Sequence, residues 1–191
     1  MVRTRTFDPA TALSKAVELF SSKGYSETSM EDIVQATGVS RYGTFGKKRE
    51  LFEQALDSYA DGMGKQAFLR LMAPDASLAN IRTIFEDRVT DMCNRDENKG
   101  CLFIHTAMGL APQDSDLRQV LGQFMGRMSR LFAAGLESAK SRGEVRANLD
   151  VRASGDLLTS TMFGLTVLAR SGFPRETPDG IVDSTLNSFT D

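Results

Sequence analysis

The sequence predicts an all-α fold, and three observations carry that prediction. Apolar residues recur at helical spacing from the first ten residues to Phe189. No alternating apolar and polar run is long enough to make a strand. Gly, Pro and Asn residues punctuate the periodic segments where helices should end. With 191 residues, 41% of them hydrophobic, the chain is large enough for one generous domain or two small ones. The expected division is a short N-terminal unit over residues 1–47 and a larger helical body over 48–191.

The first helix is expected from Asp8 to Ser22, where Ala12, Leu13, Ala16, Val17, Leu19 and Phe20 fall on a helical period, with Gly24 as a stop. Ser29 caps a second helix, and Asp32 three residues on completes a capping box. Met30, Ile33, Val34 and Ala36 then face inward, and Gly38 supplies a turn. Ser40 caps a third, short helix. Lys47 to about Leu71 reads as a long fourth helix that Pro74 closes. Five more helices are expected at Leu78 to Met92, Cys101 to Leu110, Asp116 to Arg142, Asp150 to Arg170 and Pro178 to Phe189.

The formal net charge is −2, but it is unevenly spread. Residues 1–50 hold eight Lys/Arg against six Asp/Glu, and the remainder fifteen against nineteen. The N-terminal quarter is therefore the cationic end, an asymmetry too small to assign a partner by itself. No run approaches 18 consecutive apolar residues and MVRTRTFDPA lacks a signal-peptide core, so a cytoplasmic protein without a membrane span is expected. Two cysteines, Cys93 and Cys101, match no zinc spacing and are too few for a disulfide scaffold.

The segment from Ser29 to Leu51 has the layout of a helix-turn-helix: a capped amphipathic helix, a Gly turn, a second capped segment and a Lys-rich helix start. A short helix fits the major groove, where base edges present a donor and acceptor code. Ser40, Arg41, Tyr42 and Thr44 supply groups to read it. Thr28, Ser29 and Lys48 sit at helix starts suited to phosphate contacts, and Arg3 and Arg5 suit a basic arm. Each of these residues alone fits a cap or a solvated face equally well; their order is what points to double-stranded DNA.

ALSKAVELFSSKGY, then TSMEDIVQATGVSR, then FGKKRELF resemble the TetR family of bacterial transcriptional regulators over residues 7–55. Beyond these, Gly100-Cys101-Leu102 looks like the start of a middle helix in one branch of that family. The resemblance implies a homodimer that represses transcription at a palindromic operator and releases it when a small molecule binds the C-terminal part. One departure stands out. Family members usually carry Ser-Arg-Tyr-Gly-Leu-Tyr, whereas Ser40-Arg41-Tyr42-Gly43 here runs directly into Thr44-Phe45. A shortening of about three residues removes about 4.5 Å of helix rise and nearly a turn.

The C-terminal body concentrates Met and Phe, which suits a pocket for an apolar or aromatic effector. Phe68, Phe85, Met92, Phe103, His105, Met108, Phe124, Met128 and Met162 are its candidate lining, although ordinary core packing explains most such residues as well. His105, the sole histidine, lies in the apolar run CLFIHTAM and reads as a core or pocket-edge residue rather than a metal ligand. Leu157, Leu158, Thr161, Leu165 and Leu168 form one late stripe, and Ile181, Leu186 and Phe189 another; paired with their copies they would form a four-helix bundle about a two-fold axis.

Two rival regulators or binders remain open. One is a thiol-based sensor of electrophiles or redox state using Cys101 or Cys93, with Cys101 at a helix start and Lys99 and Arg95 nearby in sequence. The other is a helical ligand-binding protein with impaired DNA reading. No enzyme is expected, because no nucleophile triad, phosphate-binding Gly loop, metal spacing or catalytic carboxylate pair can be assembled, and no cofactor is implied.

Overall fold

A computed structural model of the chain describes residues 8–38, 46–73, 75–93 and 100–190, apart from the side chains of Gln66, Phe68, Met92, Cys93 and Arg170. All regular structure among these residues is helical: α1 (Pro9–Glu27), α2 (Met30–Thr37), α3 (Lys48–Leu71), α4 (Leu78–Cys93), α5 (Leu102–Gly109), α6 (Ser115–Ser141), α7 (Val151–Arg170) and α8 (Glu176–Asn187), with a 3-10 turn at Ala111–Gln113. None of these helices is long and apolar enough to cross a membrane.

Local chemistry explains where they begin and end. Asp8 caps α1 by accepting from the backbone N–H groups of Ala10 and Thr11, both at 3.2 Å, and Pro9 occupies the first turn, where its missing N–H costs nothing. Gly24 was expected to stop this helix. It instead kinks it (φ 80, ψ 169), and one further turn runs to Glu27. The capping box of α2 forms in both directions: Asp32 N–H donates to Ser29 Oγ at 3.0 Å, and Ser29 N–H donates to Asp32 Oδ2 at 2.8 Å. Gly38 closes α2 in the left-handed conformation with φ 71.

Two compact units emerge, each with its own core. The first comprises the described residues within Met1–Gly62 and Lys99–Arg118. Here Phe20 of α1 and Phe52 of α3 meet edge to face at 5.2 Å, and Tyr25 packs on Phe52 at 4.9 Å. Ile33, Leu51, Leu56, Leu102 and Phe103 are buried around them. Burying each such side chain contributes about 1.5–3 kcal/mol against leaving it in water. Helix α5 packs against α1, and Tyr59 of α3 lies 5.4 Å from Phe103 of α5, ring to ring. This grouping differs from the 1–47 and 48–191 division read from the sequence, because the first half of α3 and all of α5 bury their apolar faces with the N-terminal helices.

The second unit comprises the described residues within Met63–Asn98 and Gln119–Asp191. Phe85 of α4 stacks on Phe132 of α6 at 5.7 Å. Gly135 lets α6 approach Leu71, since a Cβ there would lie 2.9 Å from its Cδ2. Gly155 does the same for α7, where a Cβ would lie 2.5 Å from the Ser129 carbonyl oxygen. Helix α4 is tied to α8 by an Arg82–Asp183 ion pair.

Candidate nucleic-acid interface and effector cavity

In the first unit, α2 stands at the position of the bracing helix of a helix-turn-helix. Of its expected inward residues Ile33 is buried and Met30 and Ala36 are half-buried, but Val34 is 37% exposed. Thr37, four residues on from Ile33, is buried on the same face, while Val34 lies at that face's edge. The Thr37 hydroxyl donates to the Ile33 carbonyl at 2.6 Å.

The described DNA-contact candidates divide. Thr28 is 1% exposed and its hydroxyl donates to the Gly24 carbonyl at 2.6 Å, so it holds the α1 kink and presents no hydroxyl to a phosphate, which corrects the expectation. Ser29 is exposed at the start of α2. Lys48 opens α3 with its Nζ 4.2 Å from the centre of the Tyr25 ring. Burial there pulls its pKa below the ordinary lysine value, against the opposing pull of Asp32 and Glu27. Asp32 is engaged from two sides: Lys23 donates to it at 2.8 Å and Ser29 donates through its backbone and hydroxyl, holding its carboxyl at about 2. Arg3, Arg5, Ser40, Arg41, Tyr42 and Thr44 lie outside the described residues, as do the Ser40-capped helix and the shortening before Thr44.

Immediately beyond Lys48, Arg49 donates through Nε to Glu53 and through Nη1 to Asp114, both at 2.6 Å. The two carboxylates raise its pKa, Asp114 most. Asp114 in turn caps α6 by accepting from Asp116 and Leu117 N–H. Sequence reading missed this pair, whose members are separated by 65 positions; the only local signal was an Asp just before a helix start.

The second unit contains a small open cleft, with about 70 Å³ of enclosed space, lined by Met63, Ala67 and Arg70 of α3, Ile84, Asp87, Arg88 and Asp91 of α4, Met128 of α6 and Met162 of α7. Met128 and Met162 were among the sequence candidates. Phe85 and Phe124 are fully buried core residues and do not line it, because their rings are spent on packing inside the unit. Phe103 and His105 belong to the first unit: Phe103 packs on Tyr59, and the His105 ring lies against Gly24, with Nδ1 3.2 Å from where a Cβ would stand. Met108, on the same helix, is 79% exposed. The side chains of Phe68 and Met92 lie outside those described. The charged members of the lining went unrecognised, although 84, 87, 88 and 91 share one face of α4.

The late stripes also divide by exposure. Leu158, Leu165, Leu186 and Phe189 are buried within the protomer, each at 2% or less, and so cannot lie on an intersubunit face. Leu157 is 47% exposed, and Thr161, Leu168 and Ile181 are half-buried. Val167 at 49% and Phe173 at 50% extend the outward apolar surface. The error arose because a broad stripe on a helix has an inner and an outer edge, and periodicity does not separate them.

Comparison with known proteins settles the family. Residues 12–55 match the model of bacterial regulatory proteins of the tetR family, and residues 77–175 match that of the tetracyclin repressor-like C-terminal domain. The chain belongs to the TetR family. It is a helix-turn-helix transcriptional regulator. This TetR regulator is 32% identical to the HTH-type transcriptional regulator YezE of Bacillus subtilis, over 89% of its own length and 90% of YezE. It is 29% identical to the HTH-type transcriptional repressor ComR of Escherichia coli, over 96% and 90% of the two chains. Among solved structures, it resembles a cysteine-substituted form of the TetR family regulator CifR complexed with 26-base-pair operator DNA, with a TM-score of 0.83, 27% identity and coverage of 98% and 99%.

Proposed function

We propose that this protein is a cytoplasmic homodimeric repressor that binds a palindromic operator and releases it when a small effector enters the cleft of the second unit. The observation that carries this reading is the likeness to operator-bound CifR over 98% of the chain. The Ser29–Asp32 capping box, the Gly38 turn and Lys48 at the start of α3 supply the frame for a reading helix and a phosphate contact. The outward Leu157, Val167 and Phe173 suit a two-fold partner. Ser40, Arg41, Tyr42 and Thr44 are the base- and phosphate-reading candidates, with Arg3 and Arg5 as an arm. Fluorescence anisotropy with duplexes from the protein's own promoter tests the reading. A salt-sensitive complex of one dimer on a palindrome is expected. Equal affinity for scrambled duplexes would remove it.

A second reading, a thiol-based sensor, is favoured by one contact. The Tyr59 hydroxyl donates to Cys101 Sγ at 3.6 Å, and Cys101 stands at the N-cap of α5. Cys101 is only 1% exposed, so reaction requires an opening of the unit. Cys101→Ser should abolish operator release by N-ethylmaleimide; unchanged release by the variant would eliminate this thiol.

A further inference from the structure

One short stretch of chain holds the N-terminal helices on both sides of the reading segment. Residues 101–118 comprise α5, the 3-10 turn and the start of α6, and all of them belong to the first unit. Leu102, Phe103, Thr106, Ala111 and Leu117 anchor the stretch, each at most 4% exposed. From this base two side chains reach back.

His105 reaches the entry. The edge of its ring lies against Gly24, with Nδ1 3.2 Å from the place a Cβ would take. Gly24, at φ 80 and ψ 169, occupies a backbone region essentially confined to glycine. Glycine permits such a kink without fixing its angle, so the angle is set by what packs around it. Thr28 holds the kink from within α1 by donating to the Gly24 carbonyl at 2.6 Å, and the next residue, Ser29, caps α2. The direction in which α2 leaves is thus decided at a kink that His105 abuts. Asp114 reaches the exit. It accepts from Arg49 Nη1 at 2.6 Å, one residue beyond Lys48 in the first turn of α3. Between Gly24 and Arg49 run α2 and the base-reading candidates Ser40, Arg41, Tyr42 and Thr44.

Reading a sequence demands more of this geometry than binding phosphate does. Positive charge attracts any duplex, whereas base edges are read only by groups set in register with the groove. We infer that His105 and Asp114 are positioning residues for operator recognition, acting through Gly24 and Arg49 to fix the entry and the exit of the reading segment. The inference rests on the operator-binding part of the reading above and does not involve the effector cleft.

Anisotropy of the full-length protein on a palindromic duplex from its own promoter, and on a scrambled duplex of equal length, tests this at a temperature where circular dichroism shows every variant folded. His105→Ala and Asp114→Asn should each lower the preference for the palindrome at least about fivefold, with binding to the scrambled duplex retained. Asp114→Asn keeps a capping oxygen for α6 and removes a negative charge, which by electrostatics alone would strengthen binding to every duplex. A loss confined to the palindrome therefore reports geometry. His105→Asn, which keeps a polar atom near the place of Nδ1, should lose less than the Ala variant. His105→Gln, whose amide extends past that place, serves if the Ala variant does not fold. A readout without DNA accompanies these: amide hydrogen exchange in Met30–Thr37 should quicken in His105→Ala. Equal loss on both duplexes would make the two residues merely structural and overturn the assignment, and unchanged preference and exchange in a variant would overturn it for that residue. A wild type that binds both duplexes equally removes the operator reading and this one with it. A wild type that prefers the palindrome, with both variants keeping that preference, removes this one alone.

Discussion

Arg49, in the first turn of α3, donates to Asp114 at 2.6 Å, and Asp114 simultaneously caps the start of α6. One carboxylate thus caps the start of α6 and holds the first turn of α3. Asp114→Ala removes both roles, whereas Asp114→Asn retains a capping oxygen and loses only the charge. Calorimetric melting should therefore rank wild type above Asp114→Asn above Asp114→Ala, with the last lowered by a few degrees, about what loss of a cap implies. An Asn variant melting no higher than the Ala variant would show that capping is not the larger role.

Lys48 should act as a phosphate contact. Lys48→Ala is expected to weaken operator binding similarly across operator sequences and to reduce the logarithmic salt slope by about 0.9 per protomer. Tyr25→Phe keeps the ring beneath the ammonium group and should leave both quantities close to wild type. Anisotropy titrations at several salt concentrations measure both.

Neighbouring leucines on α7 should behave oppositely. Leu157 is 47% exposed and Leu158 is fully buried. Leu157→Glu should yield a helical monomer in sedimentation, because charge is placed on the outward surface. Leu158→Ala should instead destabilise the protomer by about 2–5 kcal/mol in denaturant unfolding. A dimeric Leu157→Glu protein would move the interface elsewhere.

Glycines distinguish packing from propensity. Gly155→Ala drives a Cβ to 2.5 Å from the Ser129 carbonyl oxygen and 3.1 Å from the Ala133 nitrogen, both backbone atoms that cannot swing aside. A loss of about 1–3 kcal/mol is expected. Gly122→Ala, exposed on α6 with nothing within 4 Å, should gain up to about 1 kcal/mol from helix propensity. Equilibrium unfolding of both variants provides the comparison.

Asp32 makes stability depend on pH in one direction. Its carboxyl titrates at about 2 against an ordinary 3.8, chiefly because Lys23 donates to it. A depressed acid stabilises the folded state fully above its unfolded pKa and loses that contribution as pH falls through the folded one. Wild type should therefore lose more stability between pH 3.8 and about 2 than Asp32→Asn does. Parallel acid titrations monitored by circular dichroism would show no difference if the Lys23 and Ser29 contacts were together immaterial.

Much of the helical order was legible because its causes are local. Ser29 and Asp32 are three residues apart, and the box they form closes within one turn. Gly38 and Pro9 act through their own backbones. Gly24 was legible as a special position, but whether such a glycine ends a helix or bends it is decided by residues beyond it. Here Thr28, whose hydroxyl reaches back to the Gly24 carbonyl, secures another turn. Of the candidate site, the head's frame could be read, whereas the cavity could be read only in part. Arg70, Asp87, Arg88 and Asp91 look in sequence like a solvated face, and only the approach of α3 to α4 makes them a lining.

Helix positions, caps and membership of the regulator family come from the order of residues alone, since hydrogen bonds within a turn and apolar period involve neighbours only a few positions apart. Packing made the other decisions. It placed α5, with Phe103 and His105, in the first unit, and it turned Leu158 inward while leaving Leu157 outside. Periodicity states which side chains share a face; what that face meets depends on burial against segments tens of residues away, as between Arg49 and Asp114.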